Sequence, residues 1–323
     1  MEPAPAGSRT CQSCHVPTTD EAGMRTRTKI ARNPPGFDFP FIEPRSPFGR
    51  HLFVGGNAFM LTMFRDNAEA LGVQAPTEAF DRTIAATRDQ LSSRTASVSI
   101  EDARVEDDVL TFGVDVTNLT GHKLPTGHPS RRMWLEVVAK DEAGDVLFAS
   151  GSWNEQGLIV DQNGEVLPTE VRGGPIEGHR ETVSDSSEVA RYRGIMADVE
   201  GDATFLLLRG HTWLIDDRIP PRGWNPEHPD AEATRPYGTG TDADYAPKKG
   251  ATTGGQDRVT YRIPLGAKAV DSVSVRLVYQ TVSPRYVAES LIFDTPEIKR
   301  FMGMYEAADR TPEVLASGYW RPR

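Results

Sequence analysis

From residue 96 onward the chain alternates between apolar and polar positions. Ala96, Val98 and Ile100 are apolar at every second place, as are Leu110, Phe112, Val114 and Val116. The same pattern returns at Val259, Tyr261, Ile263 and Leu265, and again at Val273, Val275, Leu277 and Tyr279. Successive side chains of a strand point to opposite faces, so this period predicts strands with one buried face. Residues 133–139 and 204–208 are more continuously apolar and predict more fully buried strands. Asn163-Gly164 predicts a tight hairpin turn. Many strands separated by turn signals imply an antiparallel sandwich. Residues 215–256, rich in Pro, Gly, Asp and Thr, imply long loops at one end of it, and residues 296–306 predict a short last helix.

Before residue 95 the pattern is different. Asn57 follows Gly55-Gly56 and predicts a helix cap, with Met60, Phe64, Ala68 and Leu71 at helical spacing behind it. Pro76 and Thr77 predict the start of a second helix, with Phe80, Ile84 and Leu91 on one stripe. Residues 16–50 carry Pro34, Pro35, Pro40, Pro44 and Pro47, which exclude a long helix or a central strand. Phe37, Phe39, Phe41 and Phe48 are interleaved with these prolines. They fit either an aromatic loop over a flat cofactor or a plain connector. The expected fold class is therefore α+β. A short helical and irregular segment, 1–94, precedes an antiparallel β-sandwich-like domain, 95–323, with long loops and a short C-terminal helix.

The two cysteines of the chain sit three apart, in Cys11-Gln12-Ser13-Cys14-His15. This is the spacing of c-type haem attachment. Two thiols add to the two vinyl groups on one edge of a porphyrin, and the next residue lies over the ring, where an imidazole nitrogen reaches the iron. The same spacing serves a redox dithiol, which usually opens a helix after a strand. A zinc knuckle needs two further ligands close by, yet no cysteine remains and the next histidine is His51. A structural disulfide is the plainest alternative. With only 7 histidines in 323 residues, one directly after Cys14 favours haem, and one haem c per chain is expected. The segment would then carry haem, through Cys11, Cys14 and His15.

Net charge is −10, from 46 acidic and 36 basic residues, which disfavours binding to nucleic acid or to an anionic membrane. No apolar run is long enough to span a bilayer. Residues 1–10, MEPAPAGSRT, have neither the basic start nor the apolar core of a signal peptide. Covalent haem implies export all the same, so a periplasmic or extracellular location and a start upstream of Met1 are expected.

Residues 116–138 read VTNLTGHKLPTGHPSRRMWLEVV. This segment resembles the C-terminal region of bacterial multihaem c-type cytochromes of the cytochrome c-554 type. Residues 51–57, HLFVGGN, and 213–223, WLIDDRIPPRG, resemble two further segments of that group. The resemblance extends over most of the chain from about residue 9 and implies bis-His haem ligation with a β-rich C-terminal domain. Members commonly carry several haem motifs, whereas this chain has one. Either further motifs lie on sequence before Met1, or this is a single-haem relative.

His15 is the expected proximal ligand and His51 the first choice for the distal one, since it precedes a Gly-Gly turn that lets backbone approach a flat ring and matches the family segment. His122 and His128 are alternative ligands, to this haem or to one on another chain. Otherwise they belong to a loop tied down by Pro125 and Pro129. Met24, Met60 and Met63 offer sulfur, although Met60 and Met63 suit a helix core. Arg131 and Arg132 are candidates for haem propionates, or for surface ion pairs. His179, His211 and His228 lie in polar, loop-like contexts, and Asp216, Asp217 and Asp244 read as a solvated acidic loop without calcium-hand spacing.

Three functions remain open: an electron-transfer cytochrome, a haem oxidoreductase with an open distal position, and a β-sandwich binding module of a larger multihaem assembly. The first is favoured, with a redox protein or a further haem domain as partner. No other catalytic motif is present.

Overall fold

The computed structural model describes residues 10–20, 22–240, 242–245, 254–266 and 268–322. Residues 1–9 and part of the 215–256 loop lie outside the described residues. The chain forms two compact units, Met1–Gly55 and Gly56–Arg323.

Among its described residues the first unit has one regular element, the helix α1 (Cys11–His15). As its prolines imply, residues 16–50 form turns joined by isolated bridges such as Thr28↔Arg45 and Arg32↔Asp38. Phe37 and Phe41 are exposed, and the rings of Phe39 and Phe41 lie 5.4 Å apart.

The second unit is α+β. Its helices are α2 (Ala58–Asp66), α3 (Ala68–Leu71), α4 (Thr77–Arg94), α5 (Ala231–Thr234), α6 (Pro284–Ser290) and α7 (Pro296–Ala307). Asn57 caps α2 by accepting from the amide of Met60 at 3.0 Å. The expected stripe Met60, Phe64, Ala68, Leu71 is not the buried face. The helix breaks at Asn67, Phe64 and Leu71 are exposed, and Met63 is buried with Val287 and Tyr305 instead. The break resets the helical phase, so a single stripe drawn across it loses meaning. In α4 the inner face carries Ile84, Thr87 and Leu91.

Strands begin at Ala96, where the sequence period changes. They are β1 (Ala96–Glu106), β2 (Val109–Asn118), β3 (Arg132–Lys140), β4 (Val146–Ser150), β5 (Ser152–Trp153), β6 (Ile159–Val160), β7 (Thr182–Val183), β8 (Arg191–Ala197), β9 (Ala203–Thr204), β10 (Thr212–Asp216), β11 (Gln256–Pro264), β12 (Ser272–Gln280) and β13 (Glu313–Trp320). One sheet runs β1-β2-β11-β7 and the larger one β10-β8-β3-β12-β13, with β4 added to β3 and β9 to β8. Every pairing is antiparallel except β11 with β7.

The alternating residues face one another across a shared core. Leu110, Phe112, Val114, Val116, Val259, Tyr261 and Ile263 come from the first sheet. Met133, Leu135, Val137, Val273, Val275, Leu277 and Tyr279 come from the second. Strand β3 is covered on both faces, because Trp134 packs on its other side with Ile159, Leu167, Val189 and Val278. Asn163-Gly164 makes the expected tight turn, closed by the Gly164 amide on the Asp161 carbonyl. Residues 204–208 are not a buried strand. After the two-residue β9 the chain turns into a 3-10 helix, Leu207–Arg209, and Leu207 and Leu208 are exposed. An apolar run alone does not specify burial.

One ion pair lies deep in this unit. Arg132 grips Glu170 through two 2.7 Å bonds and donates to Gln280 at 2.9 Å, while Ile159 donates its amide to Glu170. Burial opposes ionisation of Glu170, but the charge of Arg132 prevails and holds the carboxyl below its usual range. A depressed carboxyl stabilises the fold above pH 4.5, and that contribution is lost as the pH falls from there through the folded-state pKa. Glu170→Gln strands Arg132 without its counter-charge. It should cost roughly 3–5 kcal/mol in chemical denaturation at pH 7, and the deficit should shrink below pH 4.5. A deficit unchanged down to pH 3 would contradict the pairing.

Candidate functional site

Thr10 caps α1, accepting from the Ser13 amide at 3.3 Å, and the Ser13 hydroxyl donates to the Thr10 carbonyl at 2.7 Å. One helical turn separates Cys11 from Cys14, and His15 follows at i+4 from Cys11, so all three share a face. Both thiols are free and exposed. The imidazole of His15 is half-buried, with Nδ1 2.9 Å from the carbonyl of Val54. A carbonyl can only accept, so Nδ1 carries the proton and Nε2 keeps its lone pair. This is the tautomer that a metal-ligating histidine requires, fixed by a backbone partner.

The segment that supplies Val54 is laced to the helix end. Phe53 donates its amide to the His15 carbonyl at 3.2 Å, and Arg50 to Pro17 at 2.9 Å. His51 therefore belongs to the same unit as His15, on the segment bonded to it. Its exposed ring lies 6.1 Å from Phe48 and 5.4 Å from Phe53. Phe53 has φ 47°, an uncommon conformation for a bulky residue. The two thiols, one oriented imidazole and a second imidazole on a neighbouring segment suit a haem c. Cys11 and Cys14 would hold its edge and His15 Nε2 its iron.

The other proposed ligands belong to the second unit. Asn118 is fully buried and organises their loop: its amide donates to the carbonyls of His122, Ile219 and Pro220 at 2.8–3.1 Å, and its oxygen accepts from Thr120. His122 Nδ1 lies 3.2 Å from the Lys123 carbonyl, which places a proton on that nitrogen. His128 Nδ1 instead accepts from the Ser130 amide at 3.2 Å. Its neutral form then carries the proton on Nε2, the opposite of His15. Burial, with help from the charge of Arg131, pushes the His128 pKa down and keeps that form. Arg131 donates to the Thr126 carbonyl at 2.9 Å. The fork of Arg132 is filled by Glu170, which leaves it no edge for a propionate.

Sequence reasoning misplaced the aspartates of the 215–256 region. Asp216 and Asp217 are fully buried, not solvated. Asp216 is neutralised by Arg218 at 2.6 Å and Lys123 at 2.6 Å. Asp217 faces His179, together with Asp242 and Asp257. His179, read from sequence as a polar loop residue, is thus the centre of a buried charged cluster. Only the tight placement of Asp257 on the otherwise apolar β11 alternation hints at it.

No model of a known protein family matches the chain, and no curated protein does. Among solved structures, a penta-heme cytochrome c552 from Thermochromatium tepidum superposes with a TM-score of 0.47 at 17% identity, over 98% of this chain and 48% of that one. The chain spans about half the length of that structure.

Asn118→Ala should lower the unfolding free energy by roughly 1–3 kcal/mol, because the buried Pro220 carbonyl loses its donor and the Ile219 and His122 carbonyls each lose one of two. Amide exchange at Thr120 should quicken more than exchange within β3. Unchanged exchange at Thr120 would show that the loop is held by something else.

Proposed function

We propose that this chain is a c-type cytochrome that transfers electrons through one covalently bound haem. The observation that carries the reading is the Nδ1 contact of His15 with the Val54 carbonyl, beside two exposed thiols one helical turn apart. When bound, haem supplies a one-electron ferric–ferrous couple. The chain's part is attachment, orientation and control of access to the iron. Cys11 and Cys14 would hold the haem through two thioether bonds, each thiol adding across a vinyl group with its hydrogen going to the other vinyl carbon. No oxidant is needed. His15, with Nδ1 held by Val54, would present Nε2 to the iron. His51 is the proposed second ligand, and the aromatic side chains Phe48 and Phe53 beside it would shield the ring from water. Of the alternatives, His122 has the more suitable tautomer for a further haem; His128 does not.

We assign haem carriage to 1–94 and docking of a redox protein or a further haem domain to 95–323. Among the described residues no helix is long and apolar enough to cross a membrane. The periplasm or the cell exterior is the proposed location.

The test is expression with an export leader in a host competent for cytochrome c maturation, followed by acid–acetone extraction and a pyridine haemochrome spectrum. Colour should remain with the protein at one haem per chain, and Cys14→Ser should lose or weaken it. The ferrous wild type should be low-spin and unreactive to carbon monoxide, whereas His51→Ala should bind it readily. Rapid binding by the wild type would turn the assignment toward an oxidoreductase with an open distal position. A colourless extract would refute the cytochrome reading.

A further inference from the structure

We propose that His179, Asp242 and Asp257 form a binding site for one divalent cation of the zinc or manganese class, with Asp217 as the carboxylate that orients the histidine. The site lies wholly in the second unit and is independent of the haem assignment.

Four segments distant in sequence meet here: the loop before β7, the residue after β10, the turn at 242–245 and the start of β11. The His179 side chain is 3% exposed, and those of Asp217 and Asp257 are fully buried. Nε2 of His179 is 3.0 Å from Asp242 Oδ2 and 3.7 Å from Asp257 Oδ1. The three atoms lie within 4.8 Å of one another. Ligands about 2.1 Å from a tetrahedral ion are separated by roughly 3.4 Å, so a small adjustment brings all three onto one centre.

The hydrogen bonding of the carboxylates points to the same conclusion. Each has its outer oxygen pinned by the protein. Tyr192 donates to Asp257 Oδ2 at 2.6 Å, the Asp244 amide to Asp242 Oδ1 at 2.8 Å, and the Arg193 amide to Asp217 Oδ1 at 2.5 Å. The inner oxygens Asp257 Oδ1 and Asp217 Oδ2 are buried with no hydrogen-bond partner, and so is His179 Nδ1. Buried polar atoms are rarely left unmatched, and Asp257 Oδ1, on the Nε2 side of the ring, points to a missing ligand. Asp217 Oδ2 sits 3.9 Å from Nδ1, on the far side of the ring from the other two carboxylates. A slight turn of the ring makes this the carboxylate–histidine pair that holds a metal-binding imidazole in the correct tautomer.

Charge favours the same reading. Three carboxylates face one imidazole, with Arg193 the nearest other cation, 3.9 Å from Asp217. A divalent ion would balance two of these carboxylate charges and take up the unmatched Asp257 Oδ1. Tyr245 closes the site, its ring 4.8 Å from the imidazole and its hydroxyl on the Asp217 carbonyl at 2.8 Å. One imidazole nitrogen with two carboxylate oxygens suits zinc or manganese better than calcium, which takes oxygen cages. The ion would tie the 242–245 turn and the loop before β7 to the edge of β11.

The test uses the full chain, stripped with EDTA and titrated with MnCl2. The six-line electron paramagnetic resonance signal of free Mn2+ should stay suppressed until one equivalent is added, and ZnCl2 should release the bound ion. Electron spin-echo modulation of the bound ion should show one imidazole nitrogen. This readout needs no variant. Asp242→Asn, on a turn outside the sheets, should weaken binding at least tenfold, on the order of other losses around metal sites. A free signal rising from the first addition, or bound manganese without nitrogen coupling, would overturn the proposal and leave a buried imidazolium held by aspartates.

Discussion

Nine consecutive pairs join β3 to β12, from Ser272↔Lys140 to Gln280↔Arg132. This ladder is the constraint on which the rest of the second unit depends. It places Met133, Leu135 and Val137 beside Val275, Leu277 and Tyr279 on one face, where the smaller sheet closes over them. A shift of one residue would turn every one of those side chains outward, so burial and register enforce each other. The other face of β3 must then be covered too, and Trp134 and the segment around Ile159 and Leu167 do this.

Covering both faces of a strand that also carries Arg132 and Glu136 forces charges into the interior. Each has its own partner. Arg132 meets Glu170 and Glu136 meets Arg276. Farther along, Arg191 meets Glu177 and Asp216 meets Arg218 and Lys123. Such pairs add little net stability over apolar packing, but losing one member is costly because the other remains buried. They therefore fix which segments may lie against the sheet. The His179 cluster stands apart from this pattern, since its carboxylates outnumber its cations and Asp217 Oδ2 and Asp257 Oδ1 lack hydrogen-bond partners.

The first unit is organised on a different principle. Beyond a short helix it has almost no regular structure, and its order comes from local backbone bonds and prolines. Two exposed thiols and exposed phenylalanines leave apolar surface on this small irregular unit. Bonds from Phe53 and Arg50 to the end of α1 hold their segment against it, and the Val54 carbonyl on that segment fixes the tautomer of His15.

Local chemistry was legible in the sequence. The period of two marks the strands from Ala96 on, Asn57 marks a helix start, Asn163-Gly164 a turn, and Cys11, Cys14 and His15 a candidate attachment motif, because each signal is complete within a few residues. Residues 204–208 and the stripe through Phe64 misled, since neither apolar content nor helical spacing reports where a neighbouring segment lies. What only the tertiary structure decided is partnership. That Val54 faces His15, that Glu170 takes the fork of Arg132, and that Asp217, Asp242 and Asp257 gather round His179 all depend on segments tens of residues apart. Sequence determines which groups can ionise, donate or bind a metal. The packing of distant segments determines which of them meet, how dry the meeting place is, and so which state each one holds.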